Sequence, residues 1–128
     1  DPNIEKLIRD YFDAMNTEDH ERAIGFYHDD IVYDDQALNS RTSGKQAVTK
    51  FYMDFVPGLN PFNIIEEIHT TPDSYAIIWN MKGTHTGDVP GIAATGKPYK
   101  GRGASIGRIK DGKIIYNFDC YTTDFISS

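Results

Sequence analysis

The order of two hydrophobic patterns constrains the fold of this 128-residue chain more than any single motif does. Apolar residues recur at helical spacing in the first half of the chain and alternate with polar residues in the second half. The change comes at Pro57-Gly58, a pair that predicts the end of a helix. Helices followed by a run of strands predict an α+β protein, in which a curved antiparallel sheet wraps around three N-terminal helices.

Three segments carry the helical pattern, each with one apolar face. They are residues 4–15, a short helix that begins after Thr17, and residues 45–56. We expect Tyr11 on the buried face of the first helix and Tyr27 on that of the second. Phe51 and Phe55 should lie on the buried side of the third.

Five segments carry a strand pattern. A short one, Ile31 to Asp35, follows a break at Asp29-Asp30 and leads into a polar loop that ends at Ser43-Gly44. The four longer segments come after the last helix and are Phe62–Thr70, Ser74–Thr84, Tyr99–Ile109 and Lys113–Thr123. Turn residues between them predict a meander of neighbouring strands.

Length and charge exclude several classes of protein. We expect one domain over residues 1–128, which is long enough to bury a substantial core. A net charge of −6 argues against nucleic acid and anionic membranes as partners, because such surfaces attract basic proteins. No apolar run approaches the ~20 residues of a membrane span. The single cysteine, Cys120, excludes an internal disulfide and predicts a cytoplasmic protein.

The sequence predicts neither a metal site nor a nucleotide cofactor. The four histidines are scattered, and no pair has the spacing of a two-histidine ligand set. No glycine-rich loop opens a helix, so a nucleotide phosphate has no evident binding site.

Asp119, in the last strand, is the main candidate for chemistry. Strand alternation places Ile115, Asn117, Asp119 and Tyr121 on one face, which is half polar as the wall of a binding cavity is. A carboxylate among aromatic residues tends to have a raised pKa, as proton abstraction near neutral pH requires. The alternative is a structural carboxylate that is exposed or paired with Arg102 or Arg108.

Three further residues are candidates for catalysis. His85 closes the strand that holds Trp79 and Met81, where it either orients a substrate carbonyl or merely caps the strand. The Tyr11 hydroxyl either stabilises a substrate oxygen or makes a structural hydrogen bond. Asp35 shares a face with Tyr33 and is a second candidate base, or it is solvated at the end of its strand.

The remaining candidates would form the walls of a cavity around Asp119. The polar ones contribute hydrogen bonds to a ligand, and the apolar ones exclude water. They are Trp79, Asn117, Tyr121, Ser105, Phe51, Phe55 and Met81.

Three motifs in the second half of the chain resemble the SnoaL-like polyketide cyclases of the nuclear-transport-factor-2-like superfamily. They are Gly83–Gly87, Gly91–Pro98 and Asp111–Ile115. The resemblance implies a cone-shaped α+β half-barrel with one deep cavity. It also implies a homodimer formed through the outer face of the sheet.

The same resemblance implies roles for two residues. In these cyclases an acid on the last strand is the general acid and base of an intramolecular aldol condensation, and Asp119 lies at that position. The preceding strand carries a polar partner, often histidine, where this chain has Ser105.

The first half of the chain resembles the ketosteroid isomerases of the same superfamily. The resemblance lies in Tyr11–Asn16 and Asp29–Asp35. It implies that Tyr11 donates a hydrogen bond to the substrate oxyanion and that Asp35 is the base. The second oxyanion donor of these isomerases, an aspartic acid, is replaced by Ser105.

We therefore expect a cofactor-independent enzyme that transfers a proton next to a carbonyl in a small hydrophobic molecule. Polyketide cyclisation and a double-bond shift are both compatible with this chemistry. The alternative is a non-catalytic protein that binds a small hydrophobic ligand in the same cavity.

Overall fold

The computed structural model describes residues 1–123, which form three helices and six strands. In chain order these elements are α1 (Pro2–Asn16), α2 (His20–Ile24), β1 (Tyr27–Asp35), β2 (Ser40–Ser43), α3 (Lys45–Leu59), β3 (Pro61–Thr71), β4 (Ser74–Thr84), β5 (Pro98–Lys110) and β6 (Lys113–Thr123). Within these residues no helix is both long and apolar enough to cross a membrane.

The strands form one open sheet in the order β2-β1-β6-β5-β4-β3. The long strands β3 to β6 form the predicted antiparallel meander. The predicted α+β class is therefore confirmed. The sheet is mixed, however, because β1 lies parallel to β6 on one side while it pairs antiparallel with β2 on the other. That pairing joins distant segments, so strand patterns alone do not reveal it.

Helix α1 packs its apolar face against the sheet. Its N-terminus is capped by Asp1, whose carboxylate accepts hydrogen bonds from the backbone N–H groups of Asn3 and Ile4. Ile4, Ile8, Tyr11 and Phe12 are buried in the main core, at the spacing predicted from the sequence. This packing holds α1 over the inner face of the sheet.

The other two helices differ from their predicted bounds. Helix α2 ends at Ile24, and Tyr27 opens β1 instead of closing the helix. Helix α3 continues through Pro57 to Leu59. Its last turn is held by a tertiary contact, because the Gly58 carbonyl accepts hydrogen bonds from the N–H groups of Thr86 and Gly87 at 2.9 and 3.0 Å. A Cβ on Gly58 would lie 2.8 Å from the Gly87 oxygen, so the two backbones pack closely.

Strand β1 is longer than predicted, and β2 was missed. Asp29-Asp30, interpreted as a break, lies inside β1. The polar segment Ser40–Ser43, interpreted as a loop, is an edge strand paired with β1. Backbone hydrogen bonds to β1 hold this strand, so its side chains need not alternate between apolar and polar. The sequence pattern therefore did not reveal the strand.

Because of a β-bulge, the predicted face of one residue in the last strand is wrong. The pairing of β5 with β6 shifts between Arg108 and Ile109, so that Ile109 pairs with Ile114 and Arg108 with Tyr116. Ile115 was predicted to share the inner face with Asp119, but Ile114 is the residue buried in the core. Beyond the bulge the alternation holds, and it places Asn117 and Asp119 inside.

The loop between β4 and β5 forms a second, smaller core on the end of α3. Val89 pairs with Ile92 through two backbone hydrogen bonds. Val89 packs with Leu59 and Tyr99 in this core, which Phe55 and Met81 also contact. The loop is thus fixed to the same helix end that borders the interior of the sheet.

Candidate functional site

A cavity of about 130 Å³ lies between the inner face of the sheet and helices α1 and α3. Its volume is comparable to that of cavities which hold one benzene-sized ring. Most of its wall is apolar, and its polar side chains are Asp35, Asn63, Ser105, Asn117 and Asp119. Its aromatic side chains are Tyr11, Phe12, Tyr33, Phe51, Phe55, Tyr75, Trp79 and Tyr121.

Strand register brings the polar residues of the cavity together. Asp119 of β6 pairs with Asp35 of β1 on one side and with Ser105 of β5 on the other. Asn117 lies two residues before Asp119 and therefore on the same face. Three neighbouring strands thus place two carboxylates, a hydroxyl and an amide side by side, and all four side chains are buried.

The Asp119 carboxylate accepts three hydrogen bonds from the cavity wall. Ser105 Oγ and Asn117 Nδ2 donate to its Oδ1 at 2.5 and 2.7 Å. The Tyr33 hydroxyl donates to its Oδ2. These contacts fix the orientation of the carboxylate in an otherwise apolar cavity.

Two of these donors are themselves held by side chains of β4. Trp79 Nε1 donates to Ser105 Oγ at 2.8 Å. The Tyr75 hydroxyl donates to Asn117 Oδ1 at 2.6 Å. In both cases the residue in the middle, Ser105 or Asn117, has a hydrogen directed at Asp119.

The structural alternatives for Asp119 are not observed. The carboxylate is not exposed, Arg102 binds Glu66 at 2.8 Å, and Arg108 is exposed. Among the described residues that line the cavity, none is Lys, Arg or His. Burial raises the pKa of Asp119, although the hydrogen bonds from Ser105, Tyr33 and Asn117 oppose the rise.

Asp35 is the second carboxylate of the cavity. The Tyr121 hydroxyl donates to its Oδ2 and the Leu38 N–H to its Oδ1, both at 3.0 Å. Burial raises the pKa of Asp35 to about 6, and the charge of Asp119 adds to the rise. The contact with Leu38 also gives Asp35 a local role in the turn after β1.

Tyr11 lines the cavity and its hydroxyl contacts that of Tyr27 at 2.6 Å. Burial raises the pKa of both phenols, so both stay protonated at neutral pH. When Tyr27 is the donor of this bond, the Tyr11 hydrogen remains available for a ligand in the cavity.

All of the predicted site residues except His85 line the cavity. His85 is buried where β4 leads into the following loop, and its backbone pairs with Gly96 and Lys97. Cys120, one residue after Asp119, is exposed on the outer face as the alternation predicts.

Two site residues were not singled out from the sequence. Tyr33 contacts Asp119 directly, and Tyr75 contacts it through Asn117. Strand alternation was the available signal, because Tyr33 shares a face with Asp35, and Tyr75 shares one with Trp79. The register between distant strands, which the sequence does not give, decides that these hydroxyls reach Asp119 and Asn117.

The part of the chain that the structure describes has no cluster of three or more His, Cys, Asp or Glu side chains placed to hold a metal ion.

Comparison with known proteins identifies a family. The family model described as SnoaL-like domain matches residues 8–117, most of the chain. Among curated proteins, none matches the sequence.

Solved structures share the fold at low sequence identity. A candidate SnoaL-like polyketide cyclase from Jannaschia sp. CCS1 superposes with a TM-score of 0.80 at 16% identity, over 98% of this chain and 87% of the other. AclR, a candidate hydroxylase from Streptomyces galilaeus, superposes with a TM-score of 0.77 at 19% identity, over 92% of this chain and 87% of AclR. A Mycobacterium tuberculosis protein in complex with estradiol-17β-hemisuccinate superposes with a TM-score of 0.76 at 18% identity, over 94% of this chain and 98% of the other.

Proposed function

The chain belongs to the SnoaL-like domain family, and from that premise we propose that it catalyses proton transfer next to a carbonyl group in a small apolar molecule. The observation that carries the proposal is the pair of buried carboxylates, Asp119 and Asp35, on the wall of an apolar cavity. The burial that raises the pKa of both groups also makes them better proton acceptors at the pH where they are ionised.

Asp119 is the proposed base. Its carboxylate removes a proton from the carbon next to the carbonyl, and the electron pair of the broken C–H bond moves to form an enolate. The proton then returns to a different carbon in an isomerisation, or to the new alkoxide after an aldol attack. Protein and ligand exchange the proton between themselves, so the reaction as proposed needs no cofactor.

Asp119 suits the role of base better than Asp35 because three donors fix its orientation. Asp35 also anchors its own turn through Leu38. With a pKa of about 6, Asp35 exchanges its proton near neutral pH and is the second candidate for proton transfer. Replacing each carboxylate by its amide separates the two assignments.

The Tyr11 hydroxyl is the proposed donor to the enolate oxygen. It lines the cavity, and its contact with Tyr27 restricts its orientation. A hydrogen-bond donor that is already oriented stabilises developing negative charge without reorganisation. Asn117 is less suited to this role, because its amide already contacts Asp119 and Tyr75. His85 does not line the cavity, and the proposal does not use it.

The ligand is expected to be uncharged where it enters the cavity. No described Lys, Arg or His lines the wall to pair with a carboxylate or phosphate, and two carboxylates would repel one. A ketone with a single ring meets this requirement, matches the volume of the cavity and provides hydrogens next to a carbonyl.

The test measures hydrogen exchange next to a carbonyl, which does not depend on knowing the natural substrate. Cyclopentanone and cyclohexanone are incubated with the protein in D₂O, and loss of the proton signals is followed by NMR. We expect catalysed exchange that falls by about 10²–10⁴-fold in Asp119→Asn.

Asp34→Asn is the matched control. Asp34 precedes Asp35, but its carboxylate contacts Tyr116 and Arg41 on the other face of the sheet. This variant should keep the wild-type exchange rate. Wild-type exchange in Asp119→Asn contradicts Asp119 as the base, and a selective loss in Asp35→Asn transfers the role to Asp35.

A non-catalytic binding protein is the second candidate function. The three hydrogen bonds to Asp119 favour it, because they leave few lone pairs of the carboxylate for a ligand. Binding of the ketone probes without exchange, and equally in Asp119→Asn, would favour this function.

We also propose a homodimer formed through the outer face of the sheet. Phe62, Ile64 and Ile106 are 45%, 49% and 56% exposed there, and burial of this apolar surface would favour association of two copies. Light scattering should give the mass of a dimer, and Ile106→Glu should shift it toward that of a monomer. The cytoplasmic location stays a prediction.

A further inference from the structure

We propose that Trp79 and Tyr75 are positioning residues. They orient Ser105 and Asn117 so that both donate hydrogen bonds to the ionised carboxylate of Asp119. Neither Trp79 nor Tyr75 contacts Asp119 in the hydrogen bonds described above. The inference rests on the proposed function for its catalytic meaning, but the physical coupling can be measured without any substrate.

The first connection runs from Trp79 to Ser105 to Asp119. The indole N–H has no acceptor atom and so can serve only as a donor. Its bond to Ser105 Oγ occupies a lone pair of that oxygen. The single hydroxyl hydrogen of Ser105 then points at Asp119 Oδ1, 2.5 Å away. Trp79 therefore selects the rotamer of the Ser105 hydroxyl that donates to the carboxylate.

The second connection runs from Tyr75 to Asn117 to Asp119. The Tyr75 hydroxyl donates to the amide oxygen of Asn117. This contact fixes the orientation of the amide, so that its NH₂ group faces Asp119 Oδ1 at 2.7 Å. Without the Tyr75 hydroxyl, no donor would hold the amide oxygen of Asn117 on that side, and the preference for the NH₂ group to face Asp119 would weaken.

Two glycines of β5 make both connections possible. Gly103 and Gly107 flank Ser105 on the inner face, opposite Trp79 and Tyr75 in the register of β4 with β5. A Cβ on Gly107 would lie 2.1 Å from Tyr75 Cζ, and a Cβ on Gly103 would lie 3.0 Å from an indole carbon of Trp79. The rings of Trp79 and Tyr75 therefore lie across β5 in space that a side chain at position 103 or 107 would occupy.

Other titratable groups also face Asp119 and belong in any account of its pH dependence. They are Tyr27, Tyr33 and Asp35 of β1, Tyr75 of β4, Tyr121 of β6 and Tyr11 of α1. Burial keeps the phenols protonated, so Asp35 is the group that titrates in the same pH range. Measurements in an Asp35→Asn background remove that second titration.

The experiment follows the Asp119 carboxyl carbon by ¹³C NMR from pH 3 to 9. Trp79→Phe removes the N–H and keeps an aromatic ring, and Tyr75→Phe removes only the hydroxyl. In each variant the ionised carboxylate loses part of its hydrogen bonding. The proton affinity of Asp119 should therefore rise about three- to tenfold, the range expected from one hydrogen bond.

A double-mutant cycle tests the route of the coupling. In a Ser105→Ala background, Trp79→Phe should cause no further change, because the intermediate hydroxyl is absent. Trp79→Phe and Tyr75→Phe should add, since they act through different residues. Tyr99→Phe is the control, because it removes a buried hydroxyl that donates to the Leu59 carbonyl in the other core. It should leave the Asp119 titration unchanged.

An Asp119 titration that stays at its wild-type position in both variants overturns the inference. So does a full Trp79→Phe effect in the Ser105→Ala background. If Trp79→Phe does not fold, Tyr75→Phe tests the same inference alone. Failure of the proposed function is a separate result, since ketone exchange that persists in Asp119→Asn would leave the measured coupling intact.

Discussion

The inner and outer faces of the sheet carry similar residues in opposite environments. Asp35 and Asp34 are adjacent in sequence, yet one lies in the cavity and the other bonds Tyr116 and Arg41 outside it. Ile77 of β4 is 3% exposed and Ile106 of β5 is 56% exposed. The difference shows that the face of a strand, more than residue type, decides whether a side chain lies in the core, lines the cavity or contacts solvent.

The largest expected difference between the two faces is in stability. Ile77→Ala should lower the free energy of unfolding by about 2–4 kcal/mol, because it removes buried methyl and methylene groups from the core. Ile106→Ala, measured at a concentration where the chain is monomeric, should cost less than about 1 kcal/mol. Urea denaturation of both variants gives the comparison. Equal losses would contradict the assignment of faces.

A second comparison concerns glycines on the inner face and in a turn. Gly107→Ala should cost about 1–3 kcal/mol, because its methyl group overlaps the Tyr75 ring. Gly112→Ala, in the turn after β5, meets no atom but has a φ of +70° and should cost about 1 kcal/mol. Tyr75 should move away from Asn117 only in the first variant, and a crystal structure of each variant would show this.

A third comparison separates the two adjacent aspartates by pH. Folding raises the pKa of Asp35 to about 6, so the folded chain binds this proton more tightly than the unfolded chain does. The stabilisation is complete below about pH 4 and is lost as the pH rises through 6.

The midpoint of thermal unfolding, compared between pH 4 and pH 7, tests this dependence. Asp35→Asn should lose less stability than wild type over that range. Asp34→Asn, the control on the other face, should follow wild type. A wild-type pH dependence in Asp35→Asn would contradict the raised pKa.

Much of the fold could be predicted because periodicity is a local property. The bounds of β4 and β6 agree with the sequence patterns, and the alternation placed Asn117, Asp119 and Tyr121 on the cavity side. The pattern failed where tertiary contacts override local preference. Ile115 falls at a bulge, and the last turn of helix α3, past Pro57, is held by hydrogen bonds from the loop between β4 and β5 to the Gly58 carbonyl.

The identity of the central carboxylate could be predicted, but its hydrogen-bond partners could not. Asp119 stood out because a lone acid lies among aromatic residues on an alternating strand. Its contacts with Tyr33 and Ser105 depend on the parallel pairing of β1 with β6 and on the register of β5. Each pairing joins segments whose relative position no local pattern determines.

The close backbone contact of Gly58 with Gly87 links the loop between β4 and β5 to the shape of the cavity. Phe55 and Leu59 border the cavity on one side and pack against Val89 and its neighbours on the other. Grafting a loop of different length between β4 and β5 would therefore change the shape of the cavity from outside while leaving Asp35 and Asp119 in place. For the function proposed above, this loop is a place where protein engineers can vary the volume of the cavity independently of its two carboxylates.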